Sequence, residues 1–191
     1  MRKIAMFAAL FLAVGSWAKD FTLTVLHTND LHGRVESTLI KQKPFGGYAR
    51  HITLINKFRK EDPNVLLLNA GDVFQGTLYF SQYEGLADLV YLNQAKYDCM
   101  TLGNHEFDRG TGVLANFLRR ASFPIVCANL DFGDEPGLQK LVQPSTILTV
   151  GGEKVGVVGA ITPDLFSITA ALPSLSMKDL VGSVQSAVDS L

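Results

Sequence analysis

Cysteine is scarce in this 191-residue chain: there are two, Cys99 and Cys127, alongside a single tryptophan. Two cysteines cannot form the disulfide framework of a small stapled domain. Both sit inside apolar, strand-like runs, where a buried free thiol and a mutual disulfide both remain open. Charge of either sign is not in excess, with 17 basic residues against 18 acidic ones. That balance excludes a nucleic-acid groove, which needs a basic surface. Long apolar runs are missing too. The longest, "IAMFAALFLAVG", falls short of the roughly 18 residues that a membrane span requires. It stands between a basic "MRK" start and a small-residue "SWA" site, the order of a secretory leader, so residues 1–18 are expected to be a signal peptide cut after Ala18. Removing Arg2 and Lys3 leaves 15 basic and 18 acidic residues, a net charge of −3. The expected location is periplasmic or secreted, with no membrane span in the mature chain.

What is plentiful is apolar residues, at 47% of the chain, enough for the core of one domain. They fall into alternating patterns. "FTLTVLHT" (21–28), "NVLLLNA" (64–70), "YDCMTLG" (97–103) and "FPIVCANL" (123–130) are short and rich in strand formers. Between them Ile52, Ile55 and Phe58 fall at helical spacing, as do Leu86, Leu89, Val90 and Asn93, and then Leu114, Phe117 and Leu118. Strand and helix in alternation predict an α/β fold with a mainly parallel sheet. Further on, "STILTV-GG-EKVGVVGAIT" predicts a β-hairpin turning at Gly151-Gly152. The tail predicts a helix carrying Leu180, Val184 and Val188 on one face.

Polar chemistry follows each of the first three strands. "HTNDLHG" brings Asp30 and His32, "AGDVFQG" brings Asp72, and "GNHEFD" brings Asn104, His105 and Asp108. In parallel sheets ligands bind beyond the carboxyl ends of the strands, so three successive strands deliver these groups to one edge. Carboxylate, imidazole and amide oxygen suit borderline divalent cations such as zinc, manganese, iron or cobalt. Asp72, on the middle strand, is the natural bridge between two ions about 3.5–4 Å apart, the spacing of two-metal hydrolysis. His105 and Asp108 are three residues apart and can meet on one helical face, giving an imidazole oriented for proton transfer.

Plainer roles exist for each residue. Asp30 and Asp72 suit helix N-caps, and Asn104 suits a turn. Glu106 fits the electrostatics of a first helical turn. His27 is expected to be packed, His51 to be surface or core, and Arg50 and Arg109 to lie on solvated faces. Asn129 is either a structural cap or part of the site's rim.

"LHTNDLHGR", "GGYAR", "NAGDVFQGT" and "LGNHEFDRG", in this order, resemble the secreted 5′-nucleotidase family of calcineurin-like metallophosphoesterases, from Phe21 to about Thr162. The resemblance implies an αββα sandwich with a dinuclear metal centre, of which residues 19–191 are the N-terminal half. Asp30 and His32 would hold one ion, Asp72 would bridge, Asn104 would hold the second, and His105 with Asp108 would form the catalytic dyad. It also implies two further histidine ligands, another glycine-histidine loop and a nucleoside-gripping domain, none of which this chain supplies. All four histidines (27, 32, 51 and 105) lie at or before the third polar loop. The implied activity is two-metal dephosphorylation of nucleotides, with this chain by itself inactive. Hydrolysis of 2′,3′-cyclic nucleotides, nucleotide sugars or a sulfur-oxidation intermediate on the same scaffold is the alternative, as is a non-catalytic metal-binding fragment.

Overall fold

A computed structural model describes residues 20–133, 135–169 and 172–191, so the leader expected at 1–18 lies outside the described residues. Five parallel strands form the main sheet: β1 (Thr24–Thr28), β2 (Val65–Asn69), β3 (Cys99–Thr101), β4 (Ile125–Val126) and β5 (Val142–Gln143). They lie side by side in sequence order. The register pairs Leu26 with Leu67, Leu68 with Cys99, and Met100 with Ile125. Parallel neighbours require crossovers, supplied by α1 (Tyr48–Glu61), by α2 (Leu78–Tyr83) with α3 (Leu86–Ala95), and by α4 (Gly110–Leu118). With strands in strict sequential order, right-handed crossovers put these helices on one face of the sheet.

The other face receives the hairpin of β6 (Ser145–Val150) and β7 (Glu153–Val158), which turns at Gly151-Gly152 as its sequence predicts. Val157 and Val158 line a narrow gap against His27, Leu68, Cys99 and Val126 of the sheet. A Cβ on Gly159 would stand 2.2 Å from the Val126 carbonyl oxygen, so glycine is what lets the hairpin's exit dock on β4. Outside it lies α5 (Leu180–Asp189). A Cβ on Gly156 of β7 would meet the side chain of Leu191, just beyond that helix, at 2.7 Å. Helices, sheet, hairpin and helix thus form an α/β/β/α layering.

The core lies between the main sheet and the crossover helices. Phe74, Phe107, Phe117, Leu92, Leu102 and Leu114 are fully buried there. Phe117 meets Phe74 edge-on at 5.1 Å between ring centroids. Burying such a side chain contributes roughly 1.5–3 kcal/mol.

Two predicted helix faces are displaced. On α3 the buried side is Asp88, Leu89, Tyr91, Leu92 and Ala95, whereas Val90 is 56% exposed. Two buried hydroxyls decide the rotation: Tyr91 hydrogen-bonds to Tyr97 at 3.0 Å and stacks on Tyr48. On α5 the inward stripe is Leu180, Val184 and Ala187, and Val188 points outward. Strand β5 was hidden in the sequence because two residues are too few to show a period. The cysteines are free and buried, and burial pushes the Cys127 thiol up to about 11 and Cys99 up to about 12.

Candidate metal-binding and proton-transfer site

Three loops leave the carboxyl ends of β1, β2 and β3 and stay in contact. The β1 and β2 loops continue the ladder of their strands. The backbone N–H groups of Asp30, His32 and Gly33 donate to the carbonyls of Gly71, Asp72 and Val73 at 3.1, 3.2 and 3.2 Å. The β2 and β3 loops touch glycine to glycine. A Cβ on Gly71 would sit 2.3 Å from the Gly103 nitrogen, and one on Gly103 would sit 2.3 Å from Asp72 Oδ1. Any side chain at either position would push the loops apart.

Asp30, His32 and Asp72 all adopt left-handed backbone conformations, with φ of 52°, 47° and 55°, and Gln75 joins them at 80°. Non-glycine residues held there cost about 1–3 kcal/mol each, strain that concentrates at functional sites. These angles also dispose of the N-cap role: α1 is preceded by Gly47 and α2 by Thr77, not by Asp30 or Asp72. Asn104 does precede a short 3₁₀ turn (His105–Phe107), but its side chain makes no capping bond.

Two pairs of site groups meet directly. His32 Nδ1 donates to the Phe74 carbonyl at 2.8 Å, which in the neutral ring leaves the Nε2 lone pair free. Nε2 stands 3.4 Å from Asp30 Oδ1. In the second pair, His105 Nδ1 donates to Asp108 Oδ2 at 2.8 Å, and Gln75 Nε2 donates to the same oxygen at 2.6 Å. The two histidine rings face each other edge-on at 5.0 Å between centroids, so the pairs share one wall. Asp72 joins through the backbone, its Oδ1 accepting the His105 N–H at 3.0 Å.

Donor chemistry at the first pair fits a divalent cation. Two ligands on a tetrahedral ion with bonds of about 2.1 Å stand roughly 3.4 Å apart, and outer hydrogen bonds such as that to Phe74 orient ligating histidines. Among the described residues, however, no three His, Cys, Asp or Glu side chains cluster as a complete ligand group. Asp30 and His32 adjoin each other, and Asp72 and Asn104 lie on the neighbouring loops.

Glu106 stands in the first turn of the 3₁₀ segment, where the sequence reading put it, and does more there than that reading expected. It is fully buried, and its carboxylate accepts four backbone N–H groups. Oε2 takes those of Asp72 and Gly103 at 2.9 and 2.6 Å; Oε1 takes those of Val73 and Phe74 at 2.7 and 3.3 Å. Burial pushes this carboxyl up, while the amide donors pull it down.

Asn129 is fully buried, accepting the Ile161 N–H at 2.9 Å and donating to the Ile161 carbonyl at 2.8 Å, so it ties the hairpin's exit to the sheet and is not part of the site's rim. His27 is exposed on β1, not packed as expected, and His51 is half-buried on α1. Arg109 is exposed, as expected of it. It lines a cleft of about 810 Å³ with His105, Asp108, Gln75 and Thr77, its guanidinium 5.9 Å from the Phe80 ring centroid.

The model of the calcineurin-like phosphoesterase family matches residues 23–174. The chain belongs to that family. Among its members in the curated proteins, the 5′-nucleotidase of Diplobatis ommata is 44% identical over 91% of this chain and 32% of its own length. Among solved phosphoesterase structures, the 5′-nucleotidase precursor of Thermus thermophilus superimposes with a TM-score of 0.85 at 46% identity, covering 90% of this chain and 34% of the other. The NAD nucleotidase of Haemophilus influenzae gives 0.78 at 31% identity, covering 88% and 32%. This phosphoesterase chain therefore spans about a third of the length of the relatives it matches.

Proposed function

We propose that this chain carries the metal-donor loops and the His–Asp dyad of a phosphoric-ester hydrolase of 5′-nucleotidase type, acting on nucleotides. The observation that carries the reading is the dyad itself, a 2.8 Å His105–Asp108 pair whose histidine backbone is bonded to the Asp72 carboxylate at 3.0 Å. It opens on a cleft of about 810 Å³, room for a nucleotide-sized ligand. Likeness to the 5′-nucleotidases supports the substrate class. Export from the cytoplasm belongs to the same proposal and rests on the leader-like pattern of residues 1–18.

Asp30 and His32 would hold one divalent cation, Asn104 a second, and Asp72 both. When bound, such cations supply Lewis acidity toward water and the phosphoryl oxygens. The chain's own residues do the rest. Asp108 accepts the Nδ1–H hydrogen bond of His105 and fixes the ring, which leaves Nε2 for proton exchange with a phosphoryl or leaving-group oxygen. Gln75 holds Asp108 from the other side. The test is phosphate release from a nucleoside 5′-monophosphate by the intact protein with added Mn²⁺. Asp72→Asn is expected to lose both Mn²⁺ affinity and hydrolysis. His105→Ala is expected to keep the metal and to lose about 10²–10⁴-fold in turnover. Near-parental turnover in Asp72→Asn would refute the reading.

A further inference from the structure

Glu106 and Asp88 are the two fully buried carboxyls among the described residues, and Glu106 is the one bonded to the polar loops. A carboxylate with no exposed surface would ordinarily be paired with a cation, yet it makes no salt bridge among the described residues. Its counter-charge is four peptide N–H groups drawn from two loops about thirty residues apart in sequence, Asp72–Phe74 on one side and Gly103 on the other. One atom, Oε2, joins the two loops, since it accepts from Asp72 and from Gly103 at once. The amide it takes from Asp72 belongs to a residue held at φ 55°, a conformation that an unassisted aspartate leaves. Next to Gly103 come Asn104 and His105, and the His105 N–H returns to the Asp72 carboxylate at 3.0 Å. Glu106 N–H acceptance and Asp72 N–H acceptance therefore form a reciprocal clasp across the Gly71–Gly103 contact.

We infer that Glu106 is a positioning residue, its buried carboxylate setting the separation and orientation of the Asp72 loop and the Asn104–His105 loop and thereby the metal-donor geometry. The inference rests on the proposed function for the identity of the donors, not for the clasp. Neither nearest substitute preserves it. Glutamine replaces one oxygen by an NH₂ that meets backbone N–H groups donor to donor, leaving buried donors unpaired. Aspartate is one methylene too short to reach both loops.

Mn²⁺ titration of the intact protein, followed by EPR, tests this, with folding checked by near-UV circular dichroism. Glu106→Gln is expected to fold and to bind Mn²⁺ about 10–100-fold more weakly, the usual consequence of losing an outer support of a metal site. Leu138→Ala, a fully buried change on a separate short helical turn (Pro136–Gln139), supplies the control: it is expected to lower the melting temperature without changing Mn²⁺ affinity. A folded Glu106→Gln that keeps parental affinity, while Asp72→Asn loses it, overturns the positioning role and leaves the functional reading standing. A parent that binds no Mn²⁺ overturns both. Should Glu106→Gln fail to fold, amide hydrogen exchange on the metal-free parent decides. Slow exchange at Asp72, Val73, Phe74 and Gly103 supports the clasp, and exchange at open-loop rates there overturns it.

Discussion

Replacing Gly103 with alanine adds a single methyl group where the polar loops touch. That methyl would lie 2.3 Å from Asp72 Oδ1, 2.7 Å from its Cγ and 2.6 Å from its backbone nitrogen. Real Cβ atoms essentially never approach closer than 3.0 Å, so the loops must part by at least 0.7 Å. Both obstructing groups are committed: the nitrogen donates to Glu106 and Oδ1 accepts from His105. Overpacking of this kind costs about 1–3 kcal/mol, and in a domain of this size each kcal/mol moves the melting temperature by roughly 2–4 °C. A displacement near 1 Å at reacting groups costs on the order of 10²-fold in rate. Gly103→Ala in the intact protein should therefore lose a few degrees of thermal stability and a disproportionate share of phosphate release. Gly112, inside α4 and with nothing within 4 Å of its would-be Cβ, is the matched control. Gly112→Ala should be neutral or stabilising by about 0.4–1 kcal/mol. Parental melting temperature and turnover in Gly103→Ala would refute the claim that glycine is required for loop contact.

Burial pushes the Asp88 carboxyl up from 3.8 to about 6, against the pull of the Tyr48 hydroxyl that donates to it. A carboxyl whose folded-state value is raised weakens the fold as pH climbs through that interval, so Asp88→Asn should add up to about 3 kcal/mol at pH 7.5 and close to nothing at pH 3. Urea unfolding at the two pH values checks this, and equal effects at both would count against it. Asn129→Ala strands the Ile161 N–H and carbonyl inside the protein; chemical denaturation should register a loss of about 2–5 kcal/mol, and a loss under about 0.5 kcal/mol would contradict the buried tie.

Much of this molecule was legible before any coordinates. Alternating runs marked the parallel strands and their crossovers because each strand is nearly continuous in apolar residues and each helix repeats over several turns. The Gly151-Gly152 turn announced its hairpin. Asp30, His32, Asp72, Asn104, His105 and Asp108 stood out because they sit where a strand ends and ligands bind in such sheets. Where the pattern misled, distant partners were responsible. The inward face of α3 turned toward Tyr91 because Tyr48 on α1 stacks there and Tyr97, just past the helix, bonds its hydroxyl. Gln75 gave no sign of its hold on Asp108, 33 positions away.

Local order along the chain determined the layers, their sequence, and which donor atoms arrive at one sheet edge, since periodicity and strand polarity are short-range properties. Tertiary structure alone decided what each polar group does on arrival. Glu106 became a buried acceptor, and Asn129 a brace and not a rim, because the Asp72 and Val73 amides that Glu106 satisfies and the Ile161 amide that Asn129 satisfies lie some thirty residues away in sequence, brought within 3 Å only when the sheet closes.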